Sequence, residues 1–326
     1  MQTFPVSPHL NRSHDRITEE QETETMKMPQ PFFTKHPDNP IFGDEKIGTL
    51  FDVYVTPQAD GLLRMDLSWR RNNTTAVSFS EDGIRWNTLH TTLTPEPTSG
   101  WEDLVNRNCV LKTGSTYKMW YTGQANGRSC IGYAESDDGL HFRRVQTEPV
   151  LVPETPWENL SVMNPCVLFE SGRYRMWYSA GETYEPNALC YAESDDGIHW
   201  KKSPLNPILT NAPQNIYERD RIGGCQILPH KELGYLLFYI GYRDINTACI
   251  CCACSRDGVT GFRRCKHNPL VLPTPGAWDA DSCYKPSAVY NEAEDTWRLW
   301  YNGRAGGVEY IGLAEKQGDF TNADFE

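Results

Sequence analysis

The side chains of this chain best suited to chemistry recur at matching places in a repeated pattern, yet differ in kind from one repeat to the next. One set stands just upstream of an apolar run in each repeat: Asp52, Arg107, Asn164, Gly223 and Lys285. A second set follows an aromatic run: Arg70, Gln124, Glu182, Arg243 with Asp244, and Arg304. A third opens the run after that: Asn73, Ser129, Asn187 and Glu309. Carboxyl groups brought together can divide the work of general acid and general base. Guanidinium and ammonium groups converging from several repeats suit a carboxylate, phosphate or sulfonate. Equivalent positions of a closed repeat array share one rim, so these residues are expected to meet although they lie far apart in sequence.

The elements that must position them can be read from three markers. The first is an aromatic strand, at Tyr117–Tyr121, Tyr174–Tyr178, Tyr235–Tyr239 and Trp297–Tyr301. The second is a Ser-x-Asp-Gly turn, whose glycines Gly83, Gly139, Gly197 and Gly258 fall between 56 and 61 residues apart. The third is a closing run, at Glu148–Leu151, Asn206–Leu209 and Asn268–Leu272. Each closing run is soon followed by Trp or Tyr and an acid, at Trp157-Glu158, Tyr217-Glu218 and Trp278-Asp279, and Trp101-Glu102 opens the second unit likewise. That period accommodates four short strands with their turns. Five units can be counted; the first, at about 50 to 93, is the most degenerate, with Arg64–Ser68 in place of the aromatic strand. The fifth lacks a closing run, whereas Asn39–Phe42 near the other end supplies one. The pattern predicts an all-β, five-bladed β-propeller over 31–326, closed by an N-terminal strand that completes the last blade and leaves no open edge.

Residues 1–30 are polar, carry the acidic run Glu19–Glu24 and lack an apolar signal-peptide core, so a disordered tail is expected there. No stretch approaches transmembrane length. Eleven cysteines without a signal peptide favour a reducing, cytoplasmic setting. Cys249, Cys251, Cys252 and Cys254 invite a metal reading, but alternation along a strand sends the first two to one face and the last two to the other. No metal and no cofactor is expected. A net charge of -12 argues against nucleic acid or an anionic membrane as partner.

Blades carrying Tyr-x-Met-Trp-Tyr, Ser-Asp-Asp-Gly-Ile-His-Trp and Asn-Pro-Ile-Leu resemble the five-bladed glycoside hydrolases of families 43, 32, 68 and 130, over roughly residues 35–320. The resemblance implies a funnel-shaped site for a small carbohydrate substrate, with carboxylates from different blades. Asp52, in Phe51–Tyr54, matches the blade-one base or nucleophile of families 43 and 32, and Glu218 or Asp220 is the nearest substitute for the family acid. Asn164-Pro165 stands where those families commonly have Asp-Pro, and the Asn-Asp-Pro-Asn, Arg-Asp-Pro and Glu-Asp-Pro-Arg motifs are absent. Cleaving a glycosidic bond calls for a carboxylate and a protonated carboxylic acid. Glu182, Glu218, Asp220, Asp244, Asp281 and Glu309 are the acids within reach of the funnel.

Arg70, Arg107, Arg243, Lys285 and Arg304 are expected to share the rim and to recognise an anionic group. Trp69, Tyr184 and Tyr242 are candidates for stacking on a sugar, while Trp120, Trp177 and Trp300 repeat and belong to the blade cores. The expected function is hydrolysis of a small oligosaccharide or glycoside. Phosphorolysis with inorganic phosphate and non-catalytic carbohydrate binding are the alternatives.

Overall fold

Each repeat folds as an antiparallel set of strands whose second strand, in all but the first unit, is the aromatic run; one parallel bridge, Ser161 to Ser129, joins the sets of units two and three. The computed structural model describes residues 32–182 and 186–326, which belong to one compact unit; the expected tail over 1–30 and the stacking candidate Tyr184 lie outside the described residues. Helical structure among the described residues is confined to four 3-10 turns, and none is long and apolar enough to cross a membrane.

Unit one comprises Leu50–Pro57, Leu63–Trp69, Thr74–Ser80 and His90–Leu93. Unit two comprises Leu104–Thr113, Thr116–Ala125, Arg128–Ser136 and Arg143–Arg144. Unit three comprises Ser161–Glu170, Arg173–Gly181, Pro186–Ser194 and Lys201–Lys202, with Leu209–Thr210 also pairing its third strand. Unit four comprises Arg221–His230, Gly234–Asp244, Thr247–Ser255 and Arg263–Arg264. The last sheet combines Ser282–Asn291, Thr296–Ala305 and Val308–Gln317 with Thr34–Lys35 from the other end of the chain.

The N-terminal segment thus pairs with the last sheet, although in more detail than the sequence foretold. The regular two-residue strand is Thr34–Lys35, and Asn39–Phe42 returns beside it, with Phe42 bridging Ile311. The Asn39 amide stands in for a strand residue: it accepts from Leu313 N at 2.8 Å and donates to Leu313 O at 2.9 Å. Asn206 does the same for Tyr191, and Asn268 for Cys252.

The repeated tryptophans latch neighbouring sheets together from the core. Trp120 Nε1 donates to Gly197 O at 2.8 Å, Trp177 Nε1 to Gly258 O at 2.6 Å, and Trp300 Nε1 to Gly83 O at 2.9 Å. Each bond runs from the second strand of one sheet to the Asp-Gly turn of the next, and the third runs from the last sheet to the first. All three indoles are fully buried, in agreement with their reading as core residues. The four clustered cysteines divide as strand alternation requires: Cys249 and Cys251 join one core cluster, Cys252 and Cys254 another.

Replacing Asn39 by Ala strands the Leu313 N–H, while the Leu313 carbonyl still accepts from His36 N; Asn206→Ala does the same to Tyr191, whose carbonyl still accepts from Ser203 N. Each substitution should cost roughly 1–3 kcal/mol in urea unfolding. Similar losses are expected because the two amides do the same job; a silent Asn39→Ala would detach the N-terminal segment from the stability of the last sheet.

Candidate active site

The first strand of every unit breaks its ladder at the same place, and the break aims a side chain inward. In unit one Phe51 faces Ser68 and Tyr54 faces Asp66, so one extra residue bulges the strand. The bulge residue Asp52 has φ +58°, in the left-handed region that an L side chain occupies at a cost of about 1–2 kcal/mol. Arg107 (φ +51°), Asn164 (φ +54°) and Lys285 (φ +51°) repeat it in units two, three and five. In unit four the matching residue is Gly224 (φ +34°), one position beyond the Gly223 aligned from sequence, because the bulge there lies between Gly223 and Cys225. Neighbouring sheets help hold three of these turns. Arg107 N donates to Ser68 Oγ at 2.9 Å, Asn164 N to Thr122 Oγ1 at 3.2 Å and Gly224 N to Ser179 Oγ at 2.8 Å.

Three of these bulges open onto a cavity of about 220 Å³. Asp52, Arg107 and Asn164 enter it from bulges; Arg70, Asn73, Gln124, Arg304 and Glu309 enter from the hairpins between second and third strands. Phe51, Trp69, Tyr242 and Tyr284 supply aromatic wall. Ser68 Oγ donates to Asp52 Oδ2 at 3.1 Å, and Arg107 Nε lies 3.8 Å from Asp52 Oδ1. A hydroxyl donor and a guanidinium thus stand at the two oxygens of Asp52.

Glu309 lies in a contrasting environment. Its side chain is nearly buried, Arg70 comes no closer than 3.8 Å, and its Oε2 has no hydrogen-bond partner. Burial pushes its carboxyl above the usual carboxylate value and the charge of Asp52 adds to the rise, while Tyr284, Arg70 and Arg304 oppose it. Asn164 Oδ1 is likewise buried and unpartnered in the same wall. Two orphaned acceptor oxygens in one cavity mark places where a ligand can supply donors.

The other acids named from sequence are placed elsewhere. Glu218 is fully buried, absent from the cavity wall and saturated: Tyr239 Oη donates to it at 2.9 Å, and Arg264 through Nε at 2.9 Å and Nη2 at 2.8 Å. It has three equivalents. Glu102 binds Tyr121 and Arg144, Glu158 binds Tyr178 and Lys202, and Asp279 binds Tyr301 and Lys35. In each case the acid of a Trp/Tyr-acid loop ties the second strand of its sheet to a cation on the outermost strand. Asp220 and Glu182 share Arg221, and Asp244 pairs with Arg243 at 3.2 Å; none of them lines the cavity. Asp281 accepts from Gly306 N.

Of the five cations expected to share a rim, Arg70, Arg107 and Arg304 line the cavity. Arg70 stacks 4.4 Å over Phe51, and Arg304 lies 5.8 Å from the Tyr284 ring. Arg243 is half exposed beside Asp244, and buried Lys285 is absent from the wall, its charge felt by the thiols of Cys166 and Cys225. Among the aromatics Trp69 and Tyr242 line the wall as expected. Phe51, Asn106 and Tyr284 were missed, although each directly precedes a bulge residue and that adjacency was visible in the repeat alignment.

The Glycosyl hydrolases family 32 N-terminal domain matches residues 65–218. An uncharacterized protein of Mycobacterium tuberculosis (strain ATCC 25618 / H37Rv) is 28% identical over 221 residues, 64% of this chain and 70% of that protein. A beta-1,2-mannobiose phosphorylase of Thermoanaerobacter sp. (strain X514) is 27% identical over 43% of this chain and 52% of its own length. The solved structure of a thermostable family-43 glycoside hydrolase superposes with a TM-score of 0.71 at 16% identity, covering 88% of this chain and 94% of that one. The chain therefore has the propeller fold of the glycoside hydrolases and resembles their superfamily, with the exact family left between 32, 43 and 130.

Two outcomes follow from these environments. Glu218→Gln removes one side of a buried ion pair and should lower stability by roughly 3 kcal/mol in denaturant unfolding; an acid needed only for chemistry would lose turnover with stability intact. For Glu309 the folded value lies above the unfolded 4.5, so the native state holds its proton where the unfolded chain releases it. Stability from this group is present below about that pH and is lost as pH rises toward the folded value. The melting temperature of Glu309→Gln, relative to the wild type, should accordingly be higher at pH 7 than at pH 4.

Proposed function

We propose that this protein cleaves a glycosidic bond in the bulge-lined cavity, acting as a glycosidase on a small oligosaccharide or glycoside. The observation that carries the reading is the meeting of two carboxyl groups, Asp52 and Glu309, in one cavity. The amides of Asn73, Asn106, Asn164 and Gln124 and the faces of Phe51, Trp69, Tyr242 and Tyr284 add polar and stacking contacts of the kind a sugar uses. Asp52 takes the role of base or nucleophile, positioned in the cavity by Ser68 and Arg107 at its two oxygens.

A second reading, phosphorolysis, is favoured by Arg70, Arg107 and Arg304 around the same cavity and by the likeness to Thermoanaerobacter phosphorylases. In a chain of net charge -12, three guanidinium groups at one site are suited to inorganic phosphate or to an anionic group on the sugar. We also propose that the five sheets are the blades of one ring closed by residues 34–42, which the pairing of Thr34–Lys35 and the Trp300–Gly83 bond support. A reducing, cytoplasmic setting is in keeping with eleven unpaired, buried cysteines.

Asp52→Asn keeps the side-chain shape and removes its charge. Turnover of a responsive glycoside should fall by about a thousandfold or more while the circular dichroism spectrum and melting temperature hold. A well-folded variant with near-normal turnover would reject Asp52 as base or nucleophile. Measuring wild-type turnover with and without added phosphate separates the two readings: a phosphate-independent rate supports hydrolysis, and an absolute requirement supports phosphorolysis.

A further inference from the structure

We infer that Glu309 is the general acid of the proposed reaction, supplied from the last sheet and not from the Tyr217–Arg221 segment that the sequence pointed to. The inference deepens the glycoside-cleaving reading and rests on it. Every other acid singled out from sequence, apart from Asp52, has another task. Glu218 is saturated by Tyr239 and Arg264, Asp220 and Glu182 hold Arg221, Asp244 holds Arg243, and Asp281 caps Gly306 N. Glu309 has an oxygen, Oε2, buried in the cavity wall with nothing bonded to it.

Its location follows from the sheet. Glu309 is the second residue of the third strand of the last sheet, directly opposite Arg304 across the hairpin. The charged and titratable groups acting on it are Tyr284 and Arg304 from its own sheet and Arg70 and Asp52 from unit one. Burial outweighs the two arginines and the phenol, and the Asp52 charge works in the same direction, so the carboxyl keeps its proton beyond the usual carboxylate range. Asp52 has a hydroxyl donor and a cation instead. A carboxyl that keeps its proton, in one cavity with a second carboxyl held by a hydroxyl and a guanidinium, supplies an acid beside a group placed to act as base.

With water as the nucleophile, the step balances as follows. The water oxygen bonds to the anomeric carbon as the bond from that carbon to the leaving oxygen breaks, with its electron pair going to the leaving oxygen. That oxygen takes the Glu309 proton, and the attacking water gives a proton to Asp52. Exchange with solvent then returns Asp52 to the carboxylate and Glu309 to the acid.

The test compares leaving groups. Wild type and Glu309→Gln are assayed on 2,4-dinitrophenyl and methyl glycosides from a panel of hexopyranosides and pentofuranosides. A dinitrophenolate departs without protonation, so Glu309→Gln should stay within about tenfold of the wild type on the dinitrophenyl substrate yet fall by about 10²–10⁴ on the methyl glycoside. The alkaline limb of the wild-type pH profile should vanish in the variant, and Glu309→Asp, which retains an acid, should recover part of the methyl-glycoside rate. Carbon-13 NMR of labelled glutamate, with Glu309 assigned by its loss in the Gln variant, should give a titration midpoint above the ordinary glutamate range that falls in Asp52→Asn. An active wild type whose Gln variant is equally impaired, or equally unimpaired, on both leaving groups overturns the acid assignment alone, as does an ordinary midpoint for Glu309. A wild type inert on the whole panel overturns the glycoside-cleaving reading and the assignment with it.

Discussion

The structure depends on satisfying the backbone of the innermost strands. Apart from one parallel bridge between Ser161 and Ser129, those strands have a ladder partner on one side only, and their free N–H groups are buried against the preceding sheet, where an unpaired donor would cost about 1–3 kcal/mol. Side chains of the preceding sheet supply the acceptors. Ser68, Thr122 and Ser179 accept from Arg107, Asn164 and Gly224, and slightly further along Cys109, Cys166 and Ser287 accept from Val167, Ile227 and Val55. The last of these bonds joins the final sheet to the first. Small hydroxyls and thiols suit this position because they reach a backbone donor without forcing the sheets apart. Two of the buried cysteines, Cys109 and Cys166, are explained in this way, as packing groups that also accept a hydrogen bond.

The same requirement creates the site. A strand that bulges to meet its neighbour's hydroxyl turns one side chain out of the regular alternation and into the cavity. Backbone strain at Asp52, Arg107, Asn164 and Lys285 is therefore the local expression of a repeated device, and the first three of these side chains stand in the cavity wall. Ser68 connects the two functions: its oxygen accepts from the Arg107 backbone and its hydroxyl donates to Asp52.

Repetition separates structural acids from functional ones. Glu102, Glu158, Glu218 and Asp279 occupy equivalent loops, and each is closed off by a tyrosine and a cation. The aromatic next to the acid obeys packing as well. Trp101 lies across Gly123 and Gly132, where added β-carbons would come within 2.3 and 2.6 Å of the ring. Unit three has Ala180 and Cys190 at those places, and its Trp157 is left 40% exposed. Glu309 has no acidic equivalent in the other units, where Asn73, Ser129 and Asn187 open the third strand. It is also the acid left with a buried, unbonded oxygen in the cavity.

The sequence by itself determined the repeat: its period, its aromatic strands and Asp-Gly turns, the pairing of an N-terminal Asn-Pro run with the last unit, and the positions from which side chains converge. These are legible because strand alternation, turn chemistry and core packing act through neighbours in the chain and leave the same marks in each unit. Asp52, Arg70, Arg107 and Arg304 could be placed at one cavity on that basis. Only the tertiary structure decided what each converging group does. Whether Glu218 or Glu309 is free to give a proton depends on Arg264, Tyr239, Asp52 and the burial of each carboxyl, contacts made by other strands of its own sheet or across sheets, which no local pattern records. The one-residue offset at Gly224 has a similar origin: a bulge is located by the register of two strands, and glycine, lacking a side chain, left no mark of which residue had been displaced.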